Sequence, residues 1–260
     1  MTSTKPLKVG VLLTEPVQLM DMACVDLLAM ATPEYLAICG MPNQVVTLGR
    51  PCYFYWIGLP KGEKWQDTTA TVRVQTMYTI EDADVAPGNL DILVIPGPDP
   101  RSEPPEEVRE FVRQHNDVKT TMFVICTGAF IAAHSGIYER KHVSGPRALI
   151  PDLKKKFPDA AWDDSLRVVR DGHLWTSGKS PSLARLGSCS RRFAGGVTNG
   201  NDLVAAYIRE TYPAPVAEIV CAMADVGDRP LEYGTAPTQD LLFFLWQFLK
   251  AFPMSWFQRK

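Results

Sequence analysis

Short apolar runs alternate with helical stripes along this chain. Lys8-Val9-Gly10-Val11-Leu12-Leu13 is apolar enough to form a first, central strand. A turn at Thr14-Glu15-Pro16 leads into Val17–Met30, where Leu19, Met20, Ala23, Leu27 and Leu28 recur at helical spacing and predict a helix. Gln44–Leu48 and Cys52–Ile57 read as two strands around Gly49-Arg50-Pro51, and Thr69–Thr79 is β-rich, alternating at Val72, Val74 and Thr76. Asp91–Ile95 is another buried strand, ending in Pro96-Gly97-Pro98-Asp99. Pro104 and Pro105 open a helix with Glu106 and Glu107 in its first turn. Val108, Phe111, Val112 and His115 line one face of it, with His115 expected at the face edge or the surface.

The chain is organised around Thr121–Gly136, TMFVICTGAFIAAHSG. Met122-Phe123-Val124-Ile125 reads as a buried parallel strand. Cys126 follows, then Thr127 and Gly128, small enough for a tight turn into a helix that Gly136 can end. Two readings of Cys126 are open. A thiol at a helix N-terminus is favoured as thiolate, and so as a nucleophile. Alternatively it is a small buried residue under a tight turn. Asp21 divides the same way, between a binding group just past the first strand and a helix N-terminal charge. Asp26 reads as a solvated charge.

Beyond the elbow, a helix is expected with Leu149, Ile150, Leu153 and Phe157 inward. Leu166–Val169 and His173–Ser177 flank Asp171-Gly172 as a hairpin. Leu203–Tyr212 is expected as the last domain helix. The βαβ alternation implies a parallel sheet covered on both faces, with ligands at strand C-terminal ends.

Composition narrows the partners. A chain of 260 residues can bury a full core. A net charge of -2 offers no basic face for nucleic acid. The six cysteines, at 24, 39, 52, 126, 189 and 221, contain no CxxC pair and no metal-ligand spacing, so no metal is expected. The N-terminal apolar run is too short for a signal peptide. A reducing, cytoplasmic setting with free thiols is the expectation.

On these residues the chain resembles the ThiJ/PfpI family, part of the class I glutamine-amidotransferase-like superfamily. The carriers are KVGVLL at 8–13, QLMD at 18–21, DILVIPG at 91–97, VICTGAFIAAHSGI at 124–137, RVVRDGHLWTSG at 167–178 and GGVTNGNDL at 195–203. The Cys-Thr form with an early Asp is similar to the isonitrile hydratase branch. The resemblance implies an α/β fold, a flavodoxin-like three-layer sandwich with a mostly parallel central sheet and a nucleophile elbow. It makes Cys126 the nucleophile, Asp21 its acidic partner and Thr127 a supporting hydroxyl. Gly97, Thr127 and Gly128 become substrate or oxyanion-binding positions. No cofactor is expected, and the expected partner is a small-molecule substrate; a homodimer is left open.

Two departures bear on the chemistry. Many members carry a His after the elbow helix, and the matching place is near Gly145. His134 and His142 are close in sequence but do not align with it. Many members also have Pro-Gly-Gly, whose second Gly amide helps to bind an oxyanion. Here that position is Pro98, which has no N–H. Losing one such donor can cost roughly 10²–10³ in rate. Acyl transfer is therefore disfavoured, and chemistry needing a thiolate and one acid fares better.

The family-like domain is placed at residues 1–234, with a non-family insertion at 179–195. Lys179–Ala194, KSPSLARLGSCSRRFA, splits TSG from GGVTNG. Gly178-Lys179-Ser180 can be encoded with a splice donor and Phe193-Ala194-Gly195 with an acceptor. Excising 17 codons keeps the frame, so a translated intron is one reading and a surface insertion the other. Residues 235–260 form an apolar extension in which LLFFLWQFL at 241–249 is too short to span a bilayer, and a helix packed on the domain or a dimer partner is expected.

Three functions remain open. One is a cysteine enzyme acting on a small electrophile, an isonitrile or a reactive carbonyl. The others are a redox-sensing, stress-protective protein and a small-molecule binding module using the same pocket.

Overall fold

The structure, a computed structural model, describes residues 5–178 and 198–228, together with Pro230, Leu242 and Trp246. The expected insertion at 179–195, with Cys189, lies outside the described residues, as does most of the 235–260 extension; Leu242 and Trp246 are helical and exposed.

The strands are β1 (Leu7–Leu12), β2 (Cys52–Gly58), β3 (Trp65–Asp67), β4 (Arg73–Gln75), β5 (Tyr78–Thr79), β6 (Ile92–Ile95), β7 (Thr121–Ile125), β8 (His142–Ser144), β9 (Ala161–Asp163), β10 (Val168–Asp171) and β11 (Leu174–Ser177). The helices are α1 (Leu19–Ala23), α2 (Asp26–Met30), α3 (Pro33–Ile38), α4 (Asn43–Val46), α5 (Glu106–Asp117), α6 (Gly128–His134), α7 (Ile150–Lys156), α8 (Asn199–Thr211) and α9 (Ala214–Ala224). The main sheet has the order β10-β11-β7-β6-β1-β2-β5. Every neighbouring pair is parallel except the hairpin β10–β11. This is the mostly parallel sheet with flanking helices expected of a flavodoxin-like fold.

The central strands are apolar throughout because both faces are covered. On β7, Phe123 and Ile125 face one core with α2 and α8, while Met122 and Val124 face another with α5 and α6. Each such side chain contributes about 1.5–3 kcal/mol on burial.

The connections fix where a ligand can sit. From β1 the chain passes through α1 and α2 on one face to β2; from β6 it passes through α5 on the other face to β7. β1 and β6 are parallel neighbours, and the chain winds outward from them in opposite directions, β1 towards β2 and β6 towards β7. A crevice opens outside strand C-terminal ends at such a switch point.

Several expected elements differ. Gln44–Leu48 is not a strand: residues 43–46 form α4, whose Val45 and Val46 pack on the core while Val45 N–H and Val46 N–H donate to Pro42 O. With no strand beside it, this β-branched run satisfies its backbone locally. Val17–Met30 is two helices, joined where Val25 N–H donates to Met22 O and Leu27 N–H to Cys24 O, a tighter i−3 pattern. Thr69–Thr79 holds a 3₁₀ turn at Thr69–Thr71 before the short strands β4 and β5. α8 starts at Asn199 rather than Leu203, and α9 follows it as a further helix.

His115 is not at the surface. It is fully buried, with Nδ1 3.0 Å from Thr120 Oγ1 and Nε2 3.1 Å from Val85 O. Both ring nitrogens have partners, so the ring can share the apolar face of Val108, Phe111 and Val112. Burial pulls its pKa from 6.5 down to about 4.

Candidate functional site

Cys126 stands between β7 and α6 with φ 55°, a left-handed conformation that costs a non-glycine residue about 1–2 kcal/mol. The surroundings hold it there. Its N–H donates to Ser177 O at 3.0 Å, and its carbonyl accepts from Ala129 N–H at 3.2 Å. Gly128 lets the elbow close on β6, because a Cβ there would lie 2.2 Å from Ile95 O. Cys126 is 7% exposed, so its thiol is reached only through the crevice.

Asp21 is fully buried in α1, whereas Asp26 is exposed as expected. The Asp21 carboxylate accepts from Gly97 N–H at 3.2 Å. A Cβ on Gly97 would lie 2.3 Å from Thr127 Oγ1 and 2.6 Å from Asp21 Oδ2. Glycine at 97 therefore lets the first βα connection, the end of β6 and the elbow meet. Thr127 Oγ1 donates to Pro98 O at 2.7 Å, tying the elbow to the β6 loop. The sequence-predicted residues Asp21, Gly97, Cys126, Thr127 and Gly128 thus converge on one place. The other acid of that connection, Glu15, instead accepts from Ser102 Oγ at 2.5 Å.

A cavity of about 770 Å³ opens over Cys126 and Thr127. Its walls come from the segment after β1 with Gln18, from the β6 loop with Gly97 and Arg101, and from Pro146 and Leu149. Thr68 and Thr69 add a wall that sequence reasoning missed. They reach the site because Thr69 N–H donates to Val17 O at 3.1 Å and Leu19 N–H to Thr69 Oγ1 at 3.0 Å. Nothing local in the sequence signals these contacts.

None of the four histidines lines this cavity. His115 and His173 belong to the opposite end of the sheet, beside the starts of β7 and β11. His134 contacts Lys156, and His142 contacts Asp163. Beneath the site, the buried Cys24 thiol donates to Asp21 O at 3.3 Å, and burial, then the Asp21 charge, raise its pKa. Cys24 is therefore a neutral support. Among the described residues no cluster of His, Cys, Asp or Glu is arranged to hold a metal ion. None of the five described cysteines is in a disulfide.

A sequence model described as the DJ-1/PfpI family matches residues 55–188, which span the end of β6 and the whole elbow. The chain belongs to the DJ-1/PfpI family. Solved structures agree at the level of fold. DJ-1beta from Drosophila melanogaster is 17% identical with a TM-score of 0.61, over 85% of this chain and 99% of that one. A THiJ/PfpI family protein from Pseudomonas syringae is 16% identical with a TM-score of 0.63, over 88% and 78%. DJ-1 from Schizosaccharomyces pombe is 15% identical with a TM-score of 0.55, over 85% and 100%. No curated protein matches the sequence. DJ-1/PfpI members include cysteine-dependent enzymes and stress-response proteins, which sets the class within which this site is read. Among the described residues no helix is long and apolar enough to cross a membrane.

Proposed function

We propose that the protein is a cysteine-dependent enzyme of the isonitrile hydratase type, acting on a small electrophile, with reactive carbonyls as the neighbouring substrate class. One observation carries this reading. Cys126 is held in a left-handed elbow beside a cavity of about 770 Å³, and Gly97 seats the Asp21 carboxylate against Thr127, the residue that follows Cys126.

For an isonitrile, the chemistry needs only those two groups and water. The Cys126 sulfur attacks the terminal carbon, forming a C–S bond, and the thiol proton is delivered to that carbon through Asp21. The product is a thioimidate. Water then adds to the same carbon and the C–S bond breaks. The thiol regains a proton and an N-substituted formamide leaves. No strong oxyanion site is required, which suits a β6 loop whose position 98 is proline and whose Gly97 amide is given to Asp21. In this reading Gly97 holds the acid, Thr127 braces the loop, and the amides of Thr127 and Gly128 are the donors left for developing charge.

The test is a screen of the purified protein against isonitriles and α-oxoaldehydes, with formamide or hydroxyacid read by NMR. Turnover that disappears in Cys126→Ala supports the proposal. A Cys126 that gains peroxide-dependent mass without any turnover would favour the redox-sensing function instead. An alkylation titration of Cys126 matching a free cysteine, near pH 8.5, would remove the activated nucleophile.

A further inference from the structure

We propose that Asp99 makes the cavity selective for neutral, apolar-bodied electrophiles by neutralising Arg101 at its mouth. The inference deepens the reading of Cys126 as a nucleophile and rests on it.

The lining is largely apolar, with Pro16, Val17, Pro98, Pro100, Ala148 and Leu149 around the polar floor. Arg101 is the one cation among the described lining residues; Arg147, between Pro146 and Ala148, is buried and not among them. A free arginine at a cavity mouth captures carboxylates or phosphates through its forked donors. Here the fork is already used. Arg101 Nε donates to Asp99 Oδ1 at 3.0 Å and to Oδ2 at 3.2 Å, and Nη2 donates to Oδ2 at 2.5 Å. The Arg101 amide also donates to Asp99 Oδ1 at 2.9 Å.

Pro100 disfavours the α region at Asp99, and Pro98 has its own φ fixed just before it. Both side chains are exposed, at 88% for Arg101 and 44% for Asp99, so the pair adds little to folding stability. Its effect falls on the charge that an entering molecule meets. The nearby Glu15, bound to Ser102, adds negative charge behind the same loop. An anionic substrate therefore finds neither a free cation nor apolar complementarity, whereas a neutral apolar one finds the second.

Iodoacetamide and iodoacetate test this, because they carry the same leaving group and differ in charge. Labelling of Cys126 by each is followed by peptide mass spectrometry and compared with a free cysteine peptide. In the parent protein the acetamide-to-acetate rate ratio should exceed that of the peptide. Asp99→Asn should shift the ratio towards iodoacetate by about threefold to tenfold at low salt. Salt near 0.5 M, where screening is short-ranged, should remove most of the shift. Adding Arg101→Gln to Asp99→Asn should abolish it, and Arg101→Gln alone should move the ratio the other way. A merely structural role for the pair would change both rates together and leave the ratio fixed. If both reagents label Cys126 with the same ratio in the parent, Asp99→Asn and Arg101→Gln, the selectivity inference alone is overturned. If neither reagent labels Cys126, the nucleophile reading falls and takes this inference with it.

Discussion

The backbone amide of Gly97 donates to the carboxylate of Asp21 at 3.2 Å, across 76 positions of sequence. This bond joins the first βα connection to the end of β6, the two segments that flank the switch point of the sheet. A methyl group at 97 would overlap both Asp21 Oδ2 and Thr127 Oγ1. We therefore expect Gly97→Ala to displace the acid and the elbow together. Overpacking of this kind costs about 1–3 kcal/mol of stability. Misplacing reacting groups by an ångström can cost about 10²-fold in rate. Cys126 alkylation and thermal melting of the variant measure both. A variant with parent-like melting and parent-like Cys126 reactivity would show that the glycine is not needed.

Thr127 makes a second tie, through its hydroxyl to Pro98 O at 2.7 Å. Thr127→Val keeps the shape and removes the donor, which should cost about 1 kcal/mol. For a domain of this size that is a fall of about 2–4 °C in Tm. Thr127→Ser keeps the donor and should melt close to the parent. Equal melting of the Val and Ser variants would mean that the bond contributes nothing to the loop.

Much of this site was legible because its strands are buried on both faces. Ile92–Ile95 and Met122–Ile125 are short apolar runs, and each is followed by turn residues that end it in a site. The Cys-Thr-Gly triplet predicted the elbow through the sizes of its residues. What was not legible comes from contacts between distant segments. Nothing near Asp21 announces Gly97, and nothing near Thr69 announces Val17. His115 was misplaced for a different reason. Its i+7 place at the end of the apolar stripe reads as a face edge or surface, whereas partners from Thr120 and Val85 satisfy the ring and let it be buried. Gln44–Leu48 shows the limit of β propensity, since a β-branched run without a neighbouring strand folds as a helical turn.

The segment Lys179–Gly195 is proposed to be dispensable, as the translated-intron reading requires. The elements on either side have their own anchors. β11 pairs with β7 up to Ser177, and Gly178 N–H donates to Arg167 O at 3.3 Å. α8 begins at Asn199 and packs through Leu203, Val204 and Tyr207 on the core. Removing the 17 residues should therefore leave a folded protein with equal or higher Tm, because a shorter loop costs less to close. Loss of folded protein on deletion would show that the segment belongs to the fold.

His115 makes stability depend on pH in a window set by its own shift. Its pKa is 6.5 when unperturbed and about 4 in the folded protein, where burial opposes the charged ring. Between those values the unfolded chain binds more protons than the folded one. Stability from this residue is therefore complete above about pH 6.5, falls as pH drops through the window, and levels off below about pH 4. A shift of this size corresponds to about 3 kcal/mol across the window. Carboxylates titrate in the same range, so the informative quantity is a difference between two proteins. His115→Gln keeps a polar side chain but cannot gain the proton. It should be less stable than the parent at pH 7, where it loses the packing of the imidazole edge against Phe111. Its stability should then fall less steeply between pH 6.5 and 4, and the gap between the two proteins should narrow or reverse. Urea midpoints measured at half-unit steps of pH give that gap directly. A constant gap across the window would mean that the ring does not remain neutral through it when folded, and the assignment would be wrong.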